Sequence, residues 1–341
     1  MSAANAPQRG GSSARPLPRV LVHDEVAAAL AAQRPVVALE TAVVSHGLPR
    51  TPAPRQPAAS DGRWSMGGAI NLETARLLER TVRAGGAVPA TIALVDGALL
   101  IGLTAAQLEQ LALDEDAAKA SARDLAGLMQ RGRSAGTTVA ATLAACMLAT
   151  PQPIRVFATG GIGGAHRGWS ESGDISADLE ALASTPVCVV SAGVKSILDL
   201  PATLEMLDTH GVPIVGHGTD ALPRFVSPAD PGLHLPLRCD EPEEIARLCE
   251  LRWNILRQRG GILVANPAPE SLALPVDTFE SALRDAEGAA IVRGIRGPAL
   301  TPFLLAEVAR LTDGRSIEAN IAVLASNARV AAAIAVALQS V

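Results

Sequence analysis

The sequence sets polar groups directly after short apolar runs at five points. Glu40 follows VVAL (36–39), Asp96 follows TIALV (91–95), the loop GGIGGAHRG (160–168) follows IRVFAT, Lys195 follows VCVVSAGV, and Asp220 follows PIVGHGT. Lys195 is the sharpest case. At the junction of a buried strand and the next helix, its ammonium would face the partial positive charge of a helix N-terminus and lose solvation. Both effects push the amine from ~10.4 towards ~7–8, where it becomes nucleophilic. The plainer alternative is a lysine that snorkels at a helix start. Glu40 ends a buried strand, which raises a carboxyl pKa and suits a proton donor; a capping or ion-paired glutamate is the structural alternative. His46 reads either as a proton shuttle or as a hydrogen-bonded structural histidine.

Other groups suit an anion or a metal. The 160–168 loop is rich in backbone N–H groups but fits neither of the common glycine-rich phosphate motifs. Gly136-Thr137-Thr138, just before an expected helix, offers hydroxyls and free N–H groups to a phosphate, or simply caps that helix. Asp174 and Asp178 stand four apart, on one helix face if a helix starts near Gly173. Two carboxylates so placed repel unless a cation or hydrogen bonds relieve them, and a hard ion such as Mg²⁺ or Mn²⁺ is one answer. Lys119, Ser121, Arg123 and Asp124 form a charged cluster that either binds phosphate or is a solvated face.

The elements that must hold these groups alternate between strand and helix. Strands are expected at 36–39, 91–95, 154–158, 187–191 and 214–216, and helices at 71–84, 104–113 (capped by Thr104), 139–148, 175–183, 241–259, 301–312 and 320–338, with a further helix running through Leu207. This pattern predicts a three-layer α/β/α fold with a largely parallel central sheet, whose chemistry collects at the carboxyl ends of the strands. Residues 1–18, rich in Ser, Gly, Pro, Ala and Arg, read as a disordered tail, a composition that organellar presequences share. Residues 19–341 read as one catalytic domain interrupted by a mobile insertion at 50–68.

Composition narrows the function classes. The chain has 341 residues, 48% hydrophobic and 18% charged, enough for a sizeable core. Aromatics are only 2%, with no Tyr, and the net charge is −5 without a long basic run. Stacking platforms for single strands and cationic faces for duplexes are therefore not expected, and no nucleic-acid partner is implied. The four Cys form no C-x-x-C pair and read as buried hydrophobes of a reducing compartment, which points to the cytoplasm. No apolar run reaches the ~18–20 residues of a membrane span.

Longer motifs make the sequence specific. ALETAVVSHGLP (38–49), GAVPATIALVDG (86–97), GTTVAATL (136–143), VFATGGIGGAHRG (156–168), DISADL (174–179), SAGVKSILDLPATLEMLDTHGVPIVG (191–216), NPAPE (266–270) and TPFLL (301–305) resemble the pseudouridine-5′-phosphate glycosidases from about residue 20 to the end. The resemblance implies Lys195 as nucleophile, Glu40 as proton donor and Asp174 as metal ligand. It further implies Lys119, Val139, Ser176, Ala177 and Asp178 as substrate contacts, with Thr137, Thr138, His166 and Asn320 beside them. It implies Mn²⁺ or another hard divalent cation, a homotrimer, and pseudouridine 5′-phosphate, ribose 5-phosphate and uracil as small-molecule partners.

The chemistry fits that set. A carbon–carbon glycosidic bond has no leaving oxygen or nitrogen to protonate. An amine attacking C1′ opens the ribose ring, the imine that results lets the bond to uracil C5 break, and a proton donor must supply C5. Three departures stand out. About a dozen extra residues precede Asn71; Ala122 stands where the family carries a cation; and Ala268 replaces an isoleucine. The competing readings are a Schiff-base lyase or aldolase on another sugar phosphate, and a non-catalytic sugar-phosphate binding protein.

Overall fold

In the computed structural model, residues 19–52 and 68–341 are described. The expected tail at 1–18 and most of the expected insertion lie outside them. The strands are β1 (Val20–Val22), β2 (Val36–Leu39), β3 (Val88–Val95), β4 (Ala98–Ile101), β5 (Ala118–Ala120), β6 (Ala135–Thr137), β7 (Val156–Ala158), β8 (Cys188–Ser191), β9 (Ile214–His217), β10 (Ala221–Arg224), β11 (Ser227–His234), β12 (Leu237–Cys239) and β13 (Ile262–Ala265). Eleven of them form one sheet in the order β1-β4-β3-β2-β7-β8-β13-β9-β12, with β6 also pairing β3 and β5 pairing β6. From β3 through β12 every neighbouring pair is parallel. The antiparallel pairings of β3 with β4 and β6 extend the sheet at its other edge. β10 and β11 form a separate antiparallel hairpin.

The apolar runs explain why both faces are covered. Successive side chains of a strand point to opposite faces. Ala38, Phe157, Val189 and Leu263 fall in one core, while Val37, Leu39, Val156, Ala158, Cys188, Val190 and Val264 fall in the other. Helices Asp24–Ala31, Val139–Cys146, Asp178–Ser184 and Val276–Val292 close the first core. Helices Ile70–Ala84, Pro242–Glu250 and Arg315–Ala337 close the second. The three-layer fold with a mostly parallel sheet is the one expected from the sequence.

Arg315–Ala337 departs from expectation in one respect. It is long and apolar enough to cross a membrane by length and composition, but 61% of its most apolar window is buried inside the protein. It is the helix that packs along β2, β7 and β8. All four cysteines are free and buried, as their apolar surroundings suggested.

The carboxyl ends of the strands converge. Glu40 directly follows β2, Thr159 and Gly160 follow β7, and Lys195 lies four residues beyond β8. Past their ends, β7 and β8 keep pairing through their loops: Ala192 N–H donates to Gly160 O (2.9 Å), Ile162 N–H to Gly193 O (3.0 Å) and Lys195 N–H to Ile162 O (3.1 Å). The loops that carry the chemistry are thereby an extension of the sheet.

Candidate active site

Glu40, Lys119 and Lys195 meet at the junction of two adjoining chambers, which share all three as lining residues. The smaller has about 500 Å³ of empty space; beside those three its wall includes apolar Val43, Phe225, Pro302 and Leu305 and polar His46, Thr301 and Asn320. The larger has about 1660 Å³ of empty space, open to solvent, and is lined by Ser121, Arg123, Arg131, Thr138, His166 and Ser176 among others.

Glu40 is buried, and Thr159 Oγ1 donates a hydrogen bond to its Oε1. Burial pushes its carboxyl above the ordinary range; the charge of Lys195 and the Thr159 hydroxyl oppose this less strongly. Lys119 projects from β5, opposite Gly136 of β6. Partial burial lowers its pKa, and the neighbouring Lys195 ammonium lowers it further. His46 and His166 are both held below the usual histidine value, chiefly by burial, so each is neutral at pH 7. His46 Nδ1 hydrogen-bonds Ser45 Oγ at 2.7 Å, and His166 N–H donates to Asp174 O at 3.0 Å.

Lys195 is half-buried and sits in a loop rather than at a helix start. The next helix begins at Leu200, and its N-cap is Asp199, whose carboxylate accepts from Ala202 N–H at 3.0 Å. The expected helix-terminus effect on Lys195 therefore does not operate; its surroundings are the cleft and its charged neighbours. Gly193 makes the approach possible. It adopts φ +74°, and a Cβ there would lie 2.6 Å from Pro223 O.

The two aspartates also differ from expectation. The helix starts at Asp178, not near Gly173, so Asp174 precedes it and the pair shares no helix face. Asp178 is buried and fully engaged: Oδ1 accepts from Ala140 N–H (3.0 Å) and Oδ2 from Gly163 N–H (2.8 Å). Two backbone donors relieve that carboxylate, so it needs no cation. Asp174 lines the larger chamber with no hydrogen bond to its carboxylate among the described residues. No cluster of three or more His, Cys, Asp or Glu that could hold a metal occurs among the described residues.

Val139, Ser176, Ala177, Asp178, Thr138 and His166 line the larger chamber, and Asn320 the smaller. Thr137 is not brought to the cleft. It is fully buried, its hydroxyl donates to Ile92 O at 2.7 Å, and its N–H donates to Thr41 Oγ1. Thr138 is the neighbour that faces the site. Thr138 Oγ1 and Asn320 Oδ1 are buried and have no hydrogen-bond partner among the described residues, as is also true of Ser227 Oγ away from the cleft. Asp96 lies in the exposed β3–β4 turn, and exposed Asp220 pairs with Arg238, so neither of these strand-end acids belongs to the site.

Sequence reasoning missed Thr159, Asn327, Phe225 and Arg131. Asn327 Nδ2 donates to Thr159 O (2.7 Å) and Gly160 O (3.3 Å), and its Oδ1 accepts from Asn266 Nδ2 (2.9 Å). The NPAPE motif thus supports the strand end that holds Glu40. An asparagine inside an apolar helix was the one signal that could have found Asn327.

The "Indigoidine synthase A like protein" family matches residues 64–337. The chain is 48% identical over 314 residues to a pseudouridine-5′-phosphate glycosidase of Jannaschia sp. (strain CCS1), covering 92% of this chain and 96% of that one. It is 47% identical over 315 residues to the protein of the same name from Caldanaerobacter subterraneus subsp. tengcongensis, covering 92% and 95%. Among solved structures it superposes on the prealnumycin C-glycosynthase in complex with ribulose 5-phosphate, with TM-score 0.80, 37% identity and coverage of 96% and 98%. An indigoidine synthase A-like protein from Thermotoga maritima gives TM-score 0.78 at 30% identity, covering 97% and 100%. With 47–48% identity to these glycosidases over 92% of its length and the fold of these solved structures, the chain belongs to the pseudouridine-5′-phosphate glycosidase family.

Proposed function

We propose that this enzyme cleaves the C–C glycosidic bond of pseudouridine 5′-phosphate, reversibly, to uracil and ribose 5-phosphate. The observation that carries the reading is the meeting of a buried Glu40, its carboxyl raised above the ordinary range by desolvation, with Lys195 where the two chambers join. The larger chamber, with Arg123, Arg131 and the Thr138 hydroxyl, suits the sugar phosphate. The smaller chamber, with Val43, Phe225, Pro302 and Leu305 in its wall, suits the base.

The Lys195 amine attacks C1′; the C1′–O4′ bond breaks and the ring oxygen takes the proton that the newly bonded Lys195 nitrogen sheds. Glu40 protonates uracil C5. The C1′–C5 bond then breaks, its electron pair restoring the uracil C5–C6 double bond while the Lys195 nitrogen lone pair forms C1′=N. Uracil leaves, and water adds to the imine and releases ribose 5-phosphate with the free amine. Lys119 lines both chambers beside Lys195, where it can meet the substrate's phosphate. The alternation of Glu40 between acid and base restores its proton in each cycle.

A lone carboxylate facing an open, polar chamber fits a hydrated hard ion and does not fit zinc, which takes several protein ligands. Asp174 would hold such an ion, Mn²⁺ or Mg²⁺, and when bound it would supply positive charge and ordered waters near the substrate. Ala122 is exposed and does not line the cleft, whereas Ser121 and Arg123 do, so the missing cation leaves the chamber wall intact. A cytoplasmic homotrimer completes the reading.

The test is uracil release from pseudouridine 5′-phosphate with and without Mn²⁺, with borohydride trapping of ribose 5-phosphate on the protein alongside. Release by the wild type, and loss of both signals in Lys195→Ala, are expected. Trapping without any uracil release would instead favour a Schiff-base lyase acting on another sugar phosphate.

A further inference from the structure

The smaller chamber has an aromatic surface that bond cleavage leaves unused. Aromatic residues make up 2% of the chain, and Phe225 is the one aromatic among the described residues that lines the cleft. Its placement is costly. Phe225 occupies the turn between β10 and β11 at φ +56°, a left-handed conformation that bulky side chains avoid and that concentrates at functional sites. Its N–H donates to Ala192 O at 3.0 Å, and the bridge between Gly193 and Arg224 ties the hairpin to the Lys195 loop.

The Cδ2–Cε2 edge of the ring, in a side chain only 4% exposed, packs against Gly160 and Gly161. A Cβ on Gly161 would stand 2.9 Å from Phe225 Cδ2, and one on Gly160 would stand 3.3 Å from Cε2. Neither glycine has a positive φ, so what matters there is the missing side chain, whose space the ring fills. Lys195 Cγ lies 3.4 Å from the same point at Gly161. The ring and the stem of the nucleophile therefore flank one glycine floor, with Glu40 lining the same chamber.

We propose that Phe225 forms the wall against which the departing pyrimidine lies, and that its ring face selects a flat, conjugated heterocycle. The inference rests on the pseudouridine reading above and names the residue that recognises its base. The argument is one of complementarity. The base is planar and uncharged, and must offer C5 to Glu40 while C1′ reaches Lys195. Within the chamber that Glu40 and Lys195 share, an aromatic face fixes the plane of such a ring without competing for its hydrogen-bonding edge.

The test separates the two halves of the substrate on the full-length, Mn²⁺-loaded enzyme. Phe225→Leu is expected to raise KM for pseudouridine 5′-phosphate, and for uracil in the synthetic direction, by roughly 5- to 100-fold, the range that a lost base–aromatic stack gives. Half-saturation by ribose 5-phosphate in borohydride trapping stays within about twofold, and Phe225→Tyr, which keeps the ring face, stays near wild type. A second measurement needs no variant. 5,6-Dihydrouracil keeps the polar edge of uracil but puckers the ring, and is expected to inhibit wild type at least about tenfold more weakly than uracil. Equal inhibition by the two, an unchanged uracil KM in Phe225→Leu, or a parallel loss of sugar trapping would each overturn the inference, the last by making Phe225 a support for Lys195. Absence of uracil release by the wild type would sink the pseudouridine reading itself.

Discussion

Glu40 is the residue whose environment says most about its task. Burial raises its pKa above the ordinary carboxylate range, and the Thr159 hydroxyl fixes one carboxyl oxygen. The acid form is present below the raised pKa and is lost as pH rises through it, so kcat/KM falls on the alkaline side of its profile. Glu40→Gln is expected to lower kcat by at least about 10²-fold, with borohydride trapping of ribose 5-phosphate retained. The same shift acts on stability. The contribution of the protonated carboxyl is fully present below its unfolded pKa and is lost as pH rises through its folded one. Glu40→Gln escapes that loss, so its melting temperature exceeds wild type by roughly 1–4 °C at pH 8 and matches it at pH 4, as calorimetry at the two pH values will show. Glu40 was legible in the sequence because it ends an apolar run. Thr137 and Thr138 were not separable there: neighbouring residues at a strand end point to opposite sides, and only the pairing of β6 with β3 decides which hydroxyl enters the cleft.

Elements place these side chains through pairing that continues beyond the strands. The β7 and β8 loops hold each other through Gly160, Ile162, Gly193 and Lys195, so a distortion at Gly193 is transmitted directly to the nucleophile. Gly193→Ala must accommodate a Cβ at φ +74° and 2.6 Å from Pro223 O. It is expected to cost about 1–3 kcal/mol of stability in denaturant unfolding and to reduce imine trapping more than substrate binding. Wild-type trapping in that variant would show that the loop is not the positioning device. The strongly periodic or wholly apolar segments, such as VVAL and the Ile70–Ala84 helix, were readable locally. β13 was not, because ILVA lies directly behind the helix predicted at 241–259 and is set off from it only by a Gly-Gly pair. β11 was even less accessible: SPADPGLH carries two prolines and two charge-capable side chains, and becomes a strand only because β10 lies beside it. Lys195 was found for a partly mistaken reason, since the helix assumed to begin beside it starts at Leu200.

At the scale of the whole molecule, the alternation of strand and helix was enough to give three layers, because each central strand divides its side chains between two separate cores. What that alternation could not give is how the extra residues before Asn71 relate to the fold. The two stems of that segment are bonded directly to each other. Pro52 pairs with Ala69 in an antiparallel bridge, Ile70 N–H donates to Thr51 O (3.0 Å), and Asn71 N–H donates to Pro49 O (3.1 Å). Asn71 itself is buried, and its amide donates to Val44 O and Ala112 O at 2.8 Å each. Replacing residues 53–67 by Gly-Ser-Gly leaves every one of these bonds in place, and the three residues span the short gap between paired strands. Shortening a connection between two fixed ends changes its closure entropy by only about 1 kcal/mol. The excised protein is therefore expected to melt within roughly 3 °C of the full chain, and, since Glu40, Lys119 and Lys195 all lie on elements outside the segment, to trap ribose 5-phosphate as the full chain does. A fall in melting temperature well beyond that range would mean that 53–67 contributes packing the stems do not supply. A loss of uracil release with trapping intact would assign the segment to the base-binding half of the cleft.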